Sequence, residues 1–104
     1  MVREIWCKGQ ILALYNRGKD IEVRIRNAST LSIEVGDILF INKSLKRRVI
    51  AIREYPNFRA VLGAESSSRI LPGYTENEVW RSIHRVFKPS EERKGILVFE
   101  LEKL

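Results

Sequence analysis

An α+β fold is predicted by three features of this 104-residue sequence. Ile21, Val23 and Ile25 alternate with Glu22, Arg24 and Arg26, the period of a strand with one apolar and one charged face. Val79, Trp80, Ile83 and Phe87 recur at helical spacing behind Thr75 and Glu78, a capping-box pattern. Strand-like segments are not separated by regular helices, so a doubly wound parallel sheet is not indicated. A small curved sheet or barrel of five or six strands, with two to three helices packed on it, accommodates these features.

Taken in order, Val2 to Trp6 is short and mixed and reads as an opening strand. Ile11, Leu12, Leu14 and Tyr15 form the apolar face of a short helix that stops at Asn16-Arg17-Gly18. The alternating strand Ile21 to Arg26 follows. Val35-Gly36-Asp37 turns into Ile38 to Ile41, whose unbroken apolar run predicts burial on both faces. Asn42 to Lys46 is a hairpin loop leading to a strand at Arg48 to Arg53, which ends at Tyr55-Pro56 because proline has no N–H for a ladder. Asn57 can cap a helix carrying Phe58, Val61 and Leu62, and Ser66 to Ser68 with Leu71-Pro72-Gly73 read as loop. The helix behind Thr75 runs to Pro89, and Gly95 to Leu101 is a closing strand. The expected core comprises Ile21, Val23, Ile25, Leu39, Ile41, Ile50, Ile52, Trp80 and Val98.

The length suits one domain, residues 1–104, and 44% hydrophobic with 31% charged residues suits a folded chain with a core. Nineteen Lys and Arg against 13 Asp and Glu leave a net charge of +6, which favours polyanionic partners. The lone Cys7 cannot make an internal disulfide and the opening residues lack signal-peptide character, so a reducing cytoplasmic setting is expected. Apolar runs fall far short of the roughly 20 residues of a membrane span. One Gln, one Met and one Cys among many charged side chains is a heat-tolerant composition.

One histidine and one cysteine cannot assemble a His/Cys metal site, and no phosphate-cradling glycine loop occurs, so neither metal nor cofactor is expected. His84 beside an apolar helix face and Cys7 without a paired base read as structural residues. Strand alternation aims Glu22, Arg24 and Arg26 one way, and Gly18 allows Lys19 to join them. Such a face is either a solvated set of cross-paired charges or a concave site for a phosphate or a base edge. Spacing does not choose between them. Between Asn42 and Arg59 lie Lys43, Lys46, Arg47, Arg48 and Arg53, with Tyr55 and Phe58 interleaved and Glu54 as the single acid. That mixture suits single-stranded nucleic acid, and it also suits a loop that merely keeps the protein soluble.

The chain resembles the ASCH family, the activating-signal-cointegrator homology domains of the PUA-like superfamily. Lys19, Glu22 and Arg24 match the last three fixed positions of its Gly-x-Lys-x-x-Glu-x-Arg motif; Arg17 stands at the glycine position, with Gly18 one place later. Val35-Gly36-Asp37, Arg48-Val49 with Ile52, Tyr55, Phe58, Leu62, Glu65, Leu71-Pro72-Gly73 and Gly95 to Phe99 follow in familiar order. The resemblance implies a PUA-like mixed β-barrel with a cleft lined by the Lys-Glu-Arg motif and suited to RNA. It also implies, for some members, ribonuclease or acylcytidine amidohydrolase activity, in which Lys19, Glu22 and Glu65 are the catalytic candidates here.

Three functions therefore compete. The first is a monomeric domain that binds single-stranded RNA or a modified nucleotide through Lys19, Glu22, Arg24, Arg26, Lys43, Lys46, Arg47, Arg48, Arg53 and Tyr55. The second is a metal-independent RNA-directed hydrolase in the same cleft, disfavoured because Lys19 to Arg24 contains no Ser or Thr. The third is a coactivator-type protein adaptor, which requires an exposed apolar patch. Charge favours the first two.

Overall fold

The computed structural model describes residues 1–104, and its strands lie where apolar residues repeat every second position. The elements are β1 (Val2–Ile5), α1 (Gly9–Leu12) running into a 3-10 turn (Ala13–Arg17), β2 (Ile21–Ile25), α2 (Ala28–Leu31), β3 (Ile38–Ile41) and β4 (Leu45–Tyr55). They continue with α3 (Phe58–Ala64), α4 (Ser67–Ile70), α5 (Glu76–Val86), α6 (Pro89–Glu92) and β5 (Ile96–Lys103). The α+β class is as expected, with six short helices in place of two or three. Four of the six, α1, α2, α4 and α6, have four residues each, and of these only α1, which runs on into the 3-10 turn, displays a helical period in sequence.

The strands form one mixed sheet in the order β1-β3-β4-β5-β2, with β1 parallel to β3 and every other pair antiparallel. The expected barrel does not close: β1 and β2 are the two edges and share no ladder. A side chain spans part of the gap instead, Arg24 Nη2 donating to the Trp6 carbonyl at 2.7 Å. The opening between the edges is what gives the fold a cavity.

The sheet buries both faces. On one, Ile21, Val23 and Ile25 of β2 and Ile96 and Val98 of β5 pack beneath Phe58, Val61, Ile70, Val79 and Ile83 of the helices. On the other, concave face, Leu39, Ile41, Val49, Leu97, Phe99 and Leu101 pack with Tyr15 and Ile33. The strand covered on both sides is β5, hence its unbroken Ile96-Leu97-Val98-Phe99. In β3, expected to be buried on both sides, Ile38 and Phe40 are only half-buried.

Of the expected core, Ile50 is overturned. A bulge in β4 sets Val49 opposite Leu101 and Ala51 opposite Glu100, and leaves Ile50 unpaired and 40% exposed. Ile52 and Trp80 are half-buried at the margins of the two clusters, and the other six are buried. The bulge also reverses side-chain parity along β4. Arg47 shares the concave face with Leu39, its partner in β3, whereas Arg53 shares the helix-covered face with Val98, its partner in β5.

Local signals fix the helix starts. Asn57 Oδ1 accepts the Ala60 N–H at 2.8 Å, and Thr75 and Glu78 make a reciprocal capping box. Asn57→Ala is expected to lower stability by about 1 kcal/mol, read as a shift of the urea midpoint at constant slope.

Candidate functional site

The site is built by a turn and one strand. Gly18, at φ +100°, adopts the left-handed conformation that ends the 3-10 turn, and the Lys19 N–H then bonds back to the Leu14 carbonyl at 3.1 Å. This carries the Lys19 side chain inward. In β2, Glu22 stands opposite Phe99 and Arg24 opposite Leu97, so both project onto the concave face. Tyr15, from the 3-10 turn, reaches the same point.

Glu22 is the hub of a buried cluster. Its Oε1 accepts from the Tyr15 hydroxyl and lies 3.8 Å from Lys19 Nζ, while its Oε2 accepts from Arg24 Nε at 2.8 Å. Lys19 and Glu22 are only 4% and 5% exposed, so these charges interact with little screening. Lys19 Nζ also donates to the Ile21 and Ile70 carbonyls at 2.6 and 2.7 Å, tying α4 to the start of β2. The Arg47 guanidinium lies 5.6 Å from the centre of the Tyr15 ring.

Burial alone would raise the Glu22 pKa, but Lys19, Arg24 and the hydrogen bonds from Tyr15 and Arg24 together hold it below the ordinary carboxylate range. Burial pushes the Lys19 ammonium down, opposed by the Glu22 charge. Burial and the same charge push the Tyr15 phenol well above its usual value. Cys7, half-buried, has its thiol raised by burial and then by Glu22.

A cavity of about 640 Å³ opens over this cluster, between the two sheet edges. Glu22 and Arg24 line it along with Arg3 to Trp6 of the β1 edge, Thr30 and Ser29 of α2, and Phe87 and Glu91. Trp6 is 58% exposed at its rim. Beyond its bonds to Glu22 and Trp6, Arg24 keeps its Nη1 donors and one on Nη2, and Glu22 keeps an acceptor position on Oε2. The cavity thus offers guanidinium donors beside an ionised carboxylate. No group of three or more His, Cys, Asp and Glu side chains is placed to hold a metal ion.

The structure brings Lys19, Glu22 and Arg24 together, with Lys19 beneath the cavity and not among its lining residues. Arg26 lies apart, paired with Glu54 at 2.8 Å. Glu65 is on the other face of the sheet, where it accepts both Arg53 Nε and Nη2, at 2.6 and 2.8 Å, and the Tyr55 hydroxyl. Arg53 also bonds Glu100, and Arg69 links Glu100 to Asp20, so Arg53, Tyr55 and Glu65 belong to a charged ladder under the helices. Arg47 is buried on Tyr15; Lys43, Lys46 and Arg48 are exposed, with Arg48 paired to Glu102 at 3.3 Å and Lys46 over Phe40. The catalytic trio therefore does not assemble: Lys19 and Glu22 are joined by Tyr15 and Arg24, not by Glu65.

Two residues of the site, Tyr15 and Trp6, are not singled out by sequence pattern. Tyr15 falls on an apolar helix face, and the one clue to its role is chemical: a buried tyrosine needs a partner for its hydroxyl.

No protein-family model and no curated protein matches the chain. No helix is long and apolar enough to cross a membrane. Among solved structures, the crystal structure of hypothetical protein PH0355 is similar over the whole of both chains, with a TM-score of 0.89 and 27% identity. The solution NMR structure of protein PF0455 from Pyrococcus furiosus is similar with a TM-score of 0.82. At 32% identity over all of this chain and 98% of that one, the chain belongs to the family of protein PF0455.

Proposed function

We propose that this chain is an RNA-binding domain, monomeric and of the ASCH kind, that takes a nucleotide of single-stranded or modified RNA into the cavity between its sheet edges. The observation that carries the reading is the Glu22–Arg24 pair, ordered at 2.8 Å on the wall of a cavity of about 640 Å³. A carboxylate acceptor beside guanidinium donors matches the mixed donor and acceptor edge of a base, and a free guanidinium also suits a phosphate. The exposed Trp6 ring at the rim suits stacking on an unpaired base, and the net charge of +6 suits a polyanion.

Binding without turnover fits the chemistry of the cluster. A general base at neutral pH needs a pKa near the working pH, and Glu22 is held lower by Lys19, Arg24 and Tyr15. Its Oε1 is already occupied by Tyr15 and Lys19. The hydroxyls that line the cavity are those of Ser29, Thr30 and Ser32; Thr30 donates to the Ile25 carbonyl at 2.8 Å and Ser32 to the Ser29 carbonyl at 2.6 Å, and none of the three is hydrogen-bonded to Glu22. Hydrolysis is the alternative outcome of the test.

Arg24→Ala is expected to weaken binding of a ten-nucleotide single-stranded RNA by about tenfold, the loss of a charge-assisted hydrogen bond, and Glu22→Gln to change the order of preference among RNAs differing at one base. Fluorescence anisotropy measures both, with a parallel incubation for cleavage of RNA and of acylated cytidine. Unaltered affinity and preference in both variants would overturn the reading; turnover abolished by Glu22→Gln would replace it with the hydrolase.

A further inference from the structure

A second depression lies on the helical side of the molecule, separated from the first cavity by α6. Glu91 and Phe87 line the first cavity, while the neighbouring Pro89 and Glu92 line the second, of about 520 Å³. Phe87 stacks on Phe58 at 5.4 Å between ring centres, and the residue after Phe58 is Arg59, which opens into the second pocket. The four-residue helix α6 thus contributes to the walls of both pockets.

The second pocket is lined by two arginines beside an aromatic ring. The Arg59 guanidinium lies 5.7 Å from the centre of the Trp80 ring, and that ring is packed against His84 at 4.2 Å, so the guanidinium rests on an aromatic wall. Arg93 lines the same pocket. Neither arginine takes part in an ion pair, unlike Arg24, Arg26, Arg48, Arg53 and Arg69. The acid in the pocket, Glu92, is committed: its Oε2 accepts the Phe58 N–H at 2.9 Å and its Oε1 lies 3.9 Å from His84 Nε2. Two arginines with free donor forks around a recess suit a phosphate, which accepts planar pairs of N–H bonds.

We infer that the Arg59–Trp80–Arg93 pocket binds a backbone phosphate of the RNA strand whose base occupies the first cavity, so that the ligand is a strand crossing α6 and not a free nucleotide. The inference rests on the RNA reading of the first cavity. It assigns the pocket to affinity and strand path, since phosphate contacts carry no base information.

The test compares two double variants that change net charge equally. Arg59→Ala with Arg93→Ala should weaken a ten-nucleotide single-stranded RNA by about tenfold and flatten the logarithmic salt slope by about 0.7, the change for one phosphate no longer neutralised. Arg81→Ala with Arg85→Ala, exposed on α5 but outside both pockets, should cost less than about threefold. Arg59→Lys with Arg93→Lys should recover part of the loss, and thermal melting of every variant checks the fold. Equal losses in the two alanine pairs, or none in the first, would overturn the phosphate seat while leaving the first cavity's role intact. Loss in the first pair without any effect of Arg24→Ala or Glu22→Gln would keep the seat and overturn the first cavity.

Discussion

Glu22→Ala is expected to lower the unfolding free energy by about 3–5 kcal/mol, because it breaks a buried ionic cluster from its centre. The native carboxylate is 5% exposed and serves Tyr15, Lys19 and Arg24 together. Without it, Lys19 keeps only the Ile21 and Ile70 carbonyls, and the Tyr15 hydroxyl loses its acceptor in a water-poor setting. Arg24 is less affected, since it is partly exposed and can turn to solvent. Glu22→Gln keeps the shape and an acceptor for Tyr15, so its cost should be smaller. Urea titrations of the three proteins check the order; an alanine variant as stable as the native protein would mean that Glu22 does not neutralise Lys19. The same reasoning makes the glutamine variant the appropriate probe of RNA preference, because it separates charge from folding.

That cluster is a poor stabilising device on general grounds. Removing two charges from water costs several kcal/mol per ion, and apolar residues of equal volume often fold as well or better. What Lys19 and Tyr15 accomplish is to hold Glu22 ionised and oriented at the cavity wall, where it in turn orients Arg24. Supported side chains on a strand lose little freedom when a ligand arrives, the general advantage of a prepared site.

Much of this arrangement is legible from residue pattern, and the remainder depends on geometry that pattern does not encode. The alternation of Ile21 to Arg26 locates β2 and the faces on which Glu22 and Val23 lie, because a strand has one period. Capping by Asn57 and Thr75 is equally local and equally readable. Glu65 and Arg53 could not be assigned to a face. The bulge at Ile50 reverses parity within β4, so Arg47 and Arg53, both odd-numbered, end on opposite sides of the sheet. Barrel closure likewise depends on whether β1 and β2 meet, which neither short strand reveals. The one-turn helices α2, α4 and α6 carry no period to detect: α2 is held by its Asn27–Thr30 capping box, and α4, which has no side-chain cap, by bonds from Lys19 and Asp20 to its carbonyls.

Stability should fall on both sides of neutral pH, with the acid limb set by carboxylates and the alkaline limb by Tyr15. Glu22 is held below its ordinary value of 4.5 by Lys19, Arg24 and Tyr15 against the cost of burial, and Glu65 and Glu100 are held low chiefly by hydrogen bonds from Arg53. A carboxylate whose folded pKa is depressed binds fewer protons in the native state, so its contribution is complete above the unfolded value and disappears as pH falls through the folded one. The acid loss therefore begins below about pH 4.5 and should be shallower in Glu22→Gln. In alkali the sign reverses for Tyr15: burial and Glu22 raise its folded pKa above the ordinary 10.0, so the native state keeps a proton that the unfolded chain releases. Stability is lost as pH rises beyond 10, and Cys7, raised above 9.0, adds in the same direction. Lys19 opposes them, because burial lowers its pKa from 10.5 and the unfolded chain is then the one that holds the extra proton. Tyr15→Phe removes the phenol and leaves Lys19, Cys7 and Tyr55, whose phenol is raised chiefly by its hydrogen bond to Glu65, to set that limb. Chemical denaturation of native and Tyr15→Phe protein between pH 7 and about pH 11 measures the difference: the native protein should lose more stability across that range. Parallel curves would mean that the phenol titrates freely in the fold and that Tyr15 does not hold Glu22 in place.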